Sequence, residues 1–216
     1  MRNLFYLFLL IFFSCSSSDN QLLVINSGET QGTYYHIKYI SHYGEDYKFQ
    51  IDSILQEVDS SLSIYKKYSL ISRLNRGEDL KTDTLFNTVF AGAQKVFLES
   101  EGRFDCSVSP LVNAWGFYKD KLGDSLFIDS VQFRNILRNI GFQKIQLIGD
   151  SLVMPDYMQL DFNAIAQGYT VDLIANYLDR INIPNYLIEV GGEIIAKGKN
   201  PEGNIWRIGV DKPLVD

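Results

Sequence analysis

The amino-acid sequence predicts an α+β fold, and three observations support that class. Two long segments, residues 48–62 and 84–100, carry apolar side chains at helical spacing. Several shorter segments are rich in β-branched and aromatic residues, as strands are. The two kinds of segment do not alternate in the regular βαβ order of a doubly wound parallel sheet, so we expect a mixed α+β arrangement.

Composition indicates a globular chain. It has 216 residues, 46% of them hydrophobic, and a net charge of −6. That length allows one large domain or two small ones, with enough apolar side chains for a sizeable core. Since the charge is negative and no basic stripe is present, nucleic acid is not expected as a partner.

The N-terminal residues look like a targeting segment that precedes the fold. Residues 4–13 are all apolar, a run too short to span a bilayer but of the right length for a signal sequence. A serine and Cys15 follow, which resembles a bacterial lipoprotein cleavage site. We therefore expect a lipoprotein signal peptide at 1–15, a lipid on Cys15 and a polar tether at 16–21. The alternative is an ordinary secretory signal with an incidental cysteine.

The first half of the remaining chain predicts a hairpin and two helices. Residues 22–25 and 33–40 have strand composition and are separated by the turn-rich sequence NSGETQG. Apolar residues at i, i+3, i+4, i+7 and i+11 predict an amphipathic helix over 48–62. Similar spacing predicts a second helix over 84–100, and Gly102 is its stop signal.

The second half predicts shorter elements. Residues 103–116 have no clean period and mix small polar residues with Pro110 and Trp115, as a site loop does. Cys106 in this segment is interpreted as a small buried hydrophobic residue. The other predicted elements are a helix at 131–140, a hairpin of 144–148 with 152–154, a long helix at about 164–180, and strands at 186–190, 193–197 and 206–210.

The stretch LDFNAIAQGYTVD, residues 160–172, gives the densest signal. It predicts a short strand, Leu160 to Phe162, that turns into the long helix with Asn163 as its N-cap. No bulky or negative side chain is then expected over the positive helix end, which would suit a phosphate. Gly168 costs about 1 kcal/mol relative to Ala inside a helix, which suggests the close approach of a backbone or a ligand. The alternative is a plain strand-to-helix connection with a packing glycine.

Five segments, in chain order, resemble the ApbE family of FAD:protein FMN transferases over nearly all of residues 22–213. They are QGTYYHIKY (31–39), SIYKKYSLISRLN (63–75), FDCSVSPLVNAWGF (104–117), LDFNAIAQGYTVD (160–172) and YLIEVGGEIIAKGKNPEGNIWRIGVDKP (186–213). The resemblance implies a mixed, mostly antiparallel sheet flanked by helices and related to the T-fold. Residues 22–216 would then form one flavin transferase domain.

The resemblance also implies an activity. Such enzymes bind FAD with Mg²⁺, break its pyrophosphate and attach FMN through a phosphodiester to a Thr or Ser of a target protein, such as a membrane redox subunit. With a lipid on Cys15, the protein would be anchored to the bacterial cell membrane and face the periplasm or the exterior.

Site residues follow from the same resemblance, although no catalytic residue does. FAD contacts are implied for Gln31, for the segment Ser63-Ile64-Tyr65, for Asp105 and for Gln167. Gln31 stands where the family often has Met against the flavin. Asp105 could accept from adenine or ribose groups, and without the resemblance it reads equally well as a solvated turn residue.

Two positions on the predicted long helix would face the pyrophosphate. The resemblance implies that the backbone carbonyl of Ala164 ligates Mg²⁺. Gln167 stands where the family has a Lys directed to the pyrophosphate; a Gln can donate a hydrogen bond but carries no charge. Tyr34, Tyr65 and Trp115 are candidates to stack on a ring of FAD.

The C-terminal part of the family pattern is missing. In the family, the other metal ligands lie in a later segment rich in Thr, Ala and Asp, and the sequence ends at Asp216 without it. We therefore expect a truncated member, which would bind FAD weakly and turn it over slowly. Two alternatives remain open: a periplasmic FAD-binding lipoprotein or FAD pyrophosphatase that releases FMN and AMP, and a non-catalytic lipoprotein that binds a partner.

Overall fold

The computed structural model describes residues 21–117 and 129–209. The predicted signal peptide, the lipidated Cys15 and nearly all of the tether lie outside the described residues. Within these two ranges, the structure contains no helix with the length and apolar character needed to cross a membrane.

The described residues form the predicted α+β fold. The strands are β1 (Leu22–Thr30), β2 (Thr33–Ser41), β3 (Gln146–Ile148), β4 (Ser151–Val153), β5 (Tyr186–Val190) and β6 (Glu193–Lys197). The helices are α1 (Lys48–Leu62), α2 (Leu70–Leu74), α3 (Thr84–Glu99), α4 (Ser109–Ala114), α5 (Ser130–Arg138) and α6 (Asn163–Arg180).

Four strands form an antiparallel sheet in the order β1-β2-β5-β6. The β1–β2 hairpin closes on a two-residue turn, Gln31-Gly32, with φ values of 51° and 73°. Two successive residues with positive φ are typical of the tight turns that match strand twist. The prediction that NSGETQG breaks the strand was wrong, because β1 continues to Thr30 and only the last two residues of that sequence turn.

The β5–β6 hairpin closes at the same end of the sheet. Its turn is Gly191-Gly192, with φ values of 58° and 93°. Because β2 and β5 are antiparallel, with Tyr35 opposite Val190, the start of β2 lies beside the end of β5. The two tight turns are therefore neighbours.

Two apolar cores meet along α1 and α6. The N-terminal half of α1 and most of α6 pack on the sheet around residues such as Ile37, Ile51 and Ile174. The C-terminal part of α1 and the first turn of α6 join a second core with α3 and the aromatic rings of Phe86 and Phe162. The end of α1 and the start of α6 thus belong to the second core, while the rest of both helices packs in the first.

The segment before α6 is irregular, so the predicted strand from Leu160 to Phe162 was wrong. A side chain takes the place of a partner strand. The backbone N–H of Leu160 donates to Asn75 Oδ1 and its carbonyl accepts from Asn75 Nδ2, each at 2.8 Å. The next N–H, that of Asp161, donates to the carbonyl of Cys106 at 2.8 Å.

Other differences from the sequence predictions are local. The segment 103–116 contains helix α4, and Cys106 is buried there as expected, where burial raises the pKa of its thiol to about 12. Where a strand was predicted at 206–210, residues 206–209 are irregular, and residue 210 lies outside the described residues. The nearest pairing is an isolated bridge between Lys199 and Ile205.

We predict that Asn75→Ala lowers the free energy of unfolding by about 2–4 kcal/mol, because two backbone groups of the fully buried Leu160 would lose their partners. Urea unfolding followed by circular dichroism measures this. Gln56→Ala, at an exposed amide on α1, is the control and should change stability by less than about 0.5 kcal/mol. Equal stability of the two variants would contradict the anchoring role of Asn75.

Candidate functional site

A cavity of about 170 Å³ opens where the first turns of α6 meet the end of α1 and the β1–β2 turn. Ligand pockets usually measure about 300–1,000 Å³, so the described residues enclose only part of a dinucleotide-sized ligand. The lining residues are Gln31, Val58, Asp59, Leu62, Ser63, Tyr65, Asn163, Ala166 and Gln167.

The β1–β2 turn is fastened to α6 through its first residue. The side-chain amide of Gln31 donates to Thr170 Oγ1 at 2.9 Å, and the Thr170 hydroxyl donates to the carbonyl of Ala166 at 2.7 Å. Thr170 is fully buried. This chain of bonds fixes the left-handed turn residue Gln31 at the cavity wall.

The β5–β6 turn packs on the same helix through Gly191. A Cβ added at Gly191 would lie 2.6 Å from Gln167 Nε2 and 2.8 Å from Thr33 Cγ2. The N–H of Gly191 donates to the carbonyl of Tyr34 at 3.0 Å. The glycine therefore serves a sharp hairpin turn and also leaves room for the Gln167 side chain.

The N-terminus of α6 differs from the prediction. The N-cap is Phe162, and Asn163 is the first helical residue; its side chain donates to Tyr65 Oη at 3.2 Å instead of capping. The carboxylate of Asp161 accepts from the N–H of Asn163 at 2.8 Å. The prediction that no negative side chain lies at this helix end was therefore wrong. The sequence analysis did not single out Asp161.

Asp59 is a second carboxylate that the sequence analysis missed. It is partly buried on the last full turn of α1 and lines the cavity. Burial raises the pKa of the Asp59 carboxyl, and the Lys66 ammonium acts in the opposite direction. Its place one helical turn before the Ser63-Ile64-Tyr65 segment was a usable signal, but a polar residue on an amphipathic helix usually faces solvent.

The structure brings four of the residues implied by the resemblance to this cavity: Gln31, Ser63, Tyr65 and Gln167. Ser63 caps the end of α1, and its carbonyl accepts from the hydroxyls of Ser69 and Ser72 at 2.5 and 3.1 Å.

Ile64 instead packs against the second core, and Ala164 is exposed in the first turn of α6. The rings of Tyr34 and Trp115 are exposed and are not among the lining residues.

Asp105 does not line the cavity, and it is not a solvated turn residue either. Its Oδ1 accepts from the N–H and the hydroxyl of Ser107 at 2.7 and 2.6 Å, and its Oδ2 accepts from the N–H of Phe142 at 3.1 Å. The Ser107 hydroxyl oxygen also accepts from the N–H of Gly141 at 2.7 Å. Asp105 therefore holds its loop against the residues that follow α5.

Gly168 leaves open space beside α6. A Cβ added there would meet no atom within 4 Å, the helix's own backbone aside, among the residues described. The expectation that another backbone comes close to this glycine was therefore wrong, and the ligand explanation stays a prediction.

Comparison with known proteins identifies the family. The sequence model of the ApbE family matches residues 31–216. The FAD:protein FMN transferase of Vibrio cholerae serotype O1 is 37% identical over 96% of this chain and 64% of its own length. The corresponding protein of Haemophilus influenzae is 36% identical over 93% of this chain and 62% of its own.

Solved structures agree with the sequence relatives. The flavin transferase ApbE from Vibrio cholerae superposes with a TM-score of 0.82 at 36% identity and covers 89% of this chain and 65% of that one. The Pseudomonas stutzeri flavinyl transferase ApbE, in its apo form, gives 0.80 at 30% identity, covering 88% and 63%. The fold is therefore that of the flavin transferases.

The chain belongs to the ApbE family, which confirms the resemblance. It spans just under two thirds of the length of the two curated relatives compared above.

We predict that Gly191→Ala displaces the side chain of Gln167, because the new methyl group would lie 2.6 Å from its amide nitrogen. The positive φ adds about 1–2 kcal/mol of strain. The side-chain amide signals of Gln167 in an NMR spectrum measure the displacement, and urea unfolding measures the strain.

The matched control is Gly77→Ala, where φ is also positive and the added Cβ meets nothing within 4 Å. It should show a similar loss of stability with the Gln167 signals unmoved. Unmoved Gln167 signals in Gly191→Ala would contradict the close approach.

Proposed function

We propose that the protein is an FAD:protein FMN transferase, which cleaves FAD and attaches FMN through a phosphodiester to a Thr or Ser of a target protein in a Mg²⁺-dependent reaction. The observation that carries this proposal is the 37% identity to a protein of that name over 96% of the chain. The matching fold and the cavity at the start of α6 support it.

The arrangement of the cavity suits such a reaction. Phosphoryl transfer depends on positioning and charge neutralisation more than on a special nucleophile. Gln31 is fastened to α6 through Thr170, and Gln167 lies close to Gly191 of the second hairpin turn. Tyr65 lines the same cavity with an aromatic side chain. Gln167 would donate a hydrogen bond to the dinucleotide, and Tyr65 would pack on one of its rings.

Oxygen donors of the kind that Mg²⁺ prefers lie at the start of α6, on Asp161 and on the backbone of Ala164. Mg²⁺ is usually held by one or two carboxylates together with substrate phosphates, and Asp161 is a carboxylate of that kind. No three His, Cys, Asp or Glu side chains cluster within residues 21–117 and 129–209. When bound, the ion would neutralise charge on the phosphates.

The proposal extends to location and partner. The apolar run at 4–13 followed by Cys15 supports a lipid anchor on the bacterial cell membrane, with the enzyme facing the periplasm or the exterior. The acceptor would be a flavoprotein such as a membrane redox subunit.

The test incubates the protein with FAD, Mg²⁺ and a Thr-containing acceptor domain. Protein-bound flavin that survives denaturation is expected, with its appearance abolished by chelation of Mg²⁺. Free FMN and AMP without protein-bound flavin would overturn the transferase proposal and identify a pyrophosphatase. Absence of both products, with FAD unchanged, would overturn both enzyme activities.

We predict that Gly168→Ala weakens FAD binding at least several-fold while raising the free energy of unfolding by about 1 kcal/mol, because Ala is the better helix former and its methyl group would occupy the open space beside α6. Flavin fluorescence titration and urea unfolding measure the two effects.

The matched control is Gly92→Ala, within α3, where an added Cβ also meets nothing within 4 Å. It should give the same gain in stability with FAD affinity unchanged. Unchanged FAD affinity in Gly168→Ala would show that no ligand uses that space.

A further inference from the structure

We propose that Asp59 is a specificity-determining binding residue, which accepts a hydrogen bond from an N–H or O–H group on an uncharged part of the dinucleotide. The inference rests on the proposed function, because it takes FAD as the ligand. It assigns a role to a residue that the family resemblance left without one.

The geometry at Asp59 shows an acceptor without a donor. Asp59 Oδ1 is buried, with less than 1 Å² of exposed surface, and it has no hydrogen-bond partner among the described residues. A buried acceptor that is left unpaired destabilises the fold by about 1–3 kcal/mol, and more if it is charged. Such groups are rare in folded proteins and need an explanation.

Two donors close to Asp59 in sequence are already in use. The hydroxyl of Ser61 donates to Asp83 at 2.9 Å, and the N–H of Ser63 donates to the backbone carbonyl of Asp59 itself at 3.3 Å. The adjacent lining residues Val58 and Leu62 are apolar. Asp59 lines this cavity and also a second one with Lys48 and Asp52. Of the two, the cavity at the start of α6 is the one that the residues implied for FAD also line, so the donor would come from a ligand bound there.

Asp59 differs in its hydrogen bonding from two carboxylates that stabilise the fold. Asp105 accepts three hydrogen bonds from Ser107 and Phe142. Asp83 accepts from Ser61 and from the N–H of Phe86, as the N-cap of α3. Asn26, Thr82 and Asn87 also carry a buried oxygen without a partner, but among these described residues only Asp59 lines the cavity at the start of α6. That combination points to a ligand.

The charge of Asp59 selects which part of the ligand lies against it. A carboxylate repels phosphate, so the diphosphate is excluded from this wall. The flavin half offers a ring N–H and ribityl hydroxyls, and the adenosine half offers an amino group and ribose hydroxyls. Both halves carry the required donor chemistry, and the cavity of about 170 Å³ is large enough only for a part of either.

The experiment titrates FAD, riboflavin, adenosine and inorganic pyrophosphate into the wild type, Asp59→Asn and Asp59→Ala. Glu57→Gln is the matched control, since Glu57 is an exposed carboxylate on the same helix. We expect Asp59→Ala to weaken FAD binding about 10- to 100-fold, the loss that a hydrogen bond to a charged group implies. Asp59→Asn should weaken it less, and Glu57→Gln not at all.

The small probes identify the half of the dinucleotide that Asp59 contacts. A parallel loss for riboflavin assigns it to the flavin half, and a parallel loss for adenosine assigns it to the other half. Pyrophosphate binding should be unchanged or tighter in the Asp59 variants, and weaker pyrophosphate binding would overturn the inference.

Measurements of stability distinguish a binding role of Asp59 from a structural role. Because the unpaired carboxylate destabilises the folded state, Asp59→Asn should not lower the midpoint of thermal unfolding. A lowered midpoint together with unchanged FAD affinity would show a structural role and overturn the inference. If the variants bind FAD as the wild type does, this inference is wrong and the proposed function stands. If the wild type binds no FAD, the proposed function itself is wrong.

Discussion

The close packing of two hairpin turns on the first half of α6 is the constraint on which the candidate site depends. Antiparallel pairing of β2 with β5 places both turns at one end of the sheet. One turn is fastened through Gln31 and Thr170, and the other presses Gly191 against Gln167. Neither turn can shift along the helix without losing its contact with α6. These contacts therefore bring residues that are distant in sequence together around one cavity.

The start of α6 is fixed in a second way, by two segments that contact Leu160 and Asp161. Asn75 comes from the segment 63–75 and replaces a partner strand for Leu160. Cys106 comes from the segment 104–117, and its carbonyl accepts from the N–H of Asp161. Asp105 stiffens that second segment through its bonds to Ser107 and Phe142. The side chain of Asp105 does not line the cavity, and its hydrogen bonds support the loop whose backbone contacts the start of α6.

Much of the fold was predictable because it follows local rules. Helix α1 and strands β5 and β6 have the bounds that periodicity and glycine signals gave, and the antiparallel sheet matches the family resemblance. Two errors at the start of α6 share one cause. Leu160 to Phe162 look like a strand because they are apolar, but the hydrogen bonds of Leu160 go to a side chain 85 residues away, and no local pattern encodes such a partner. The N-cap was misplaced for the same reason, because the Asn163 amide is drawn to Tyr65.

The site itself was predictable only through the resemblance, and then only in part. Gln31, Ser63, Tyr65 and Gln167 meet in one cavity, whereas periodicity gave no reason to group them. Asp59 and Asp161 were missed because an isolated acid on a helix or before one looks solvated until its neighbours are known. Tertiary contacts decide which acids are partnered, and those contacts are formed by residues far apart in the chain.

The charges around the start of α6 affect how a diphosphate could bind there. Asp161 accepts from the N–H of Asn163 at the positive end of the helix, and Asp59 lines the cavity. Gln167 contributes a dipole but no charge. Among the described residues, the lining of the cavity holds two oxygens of one carboxylate and no cationic side chain. An anionic dinucleotide would be repelled by such a wall unless a cation accompanies its phosphates, and the carboxylate at the start of α6 is the kind of donor that a hard divalent cation prefers. The local charges therefore agree with the Mg²⁺ dependence proposed above.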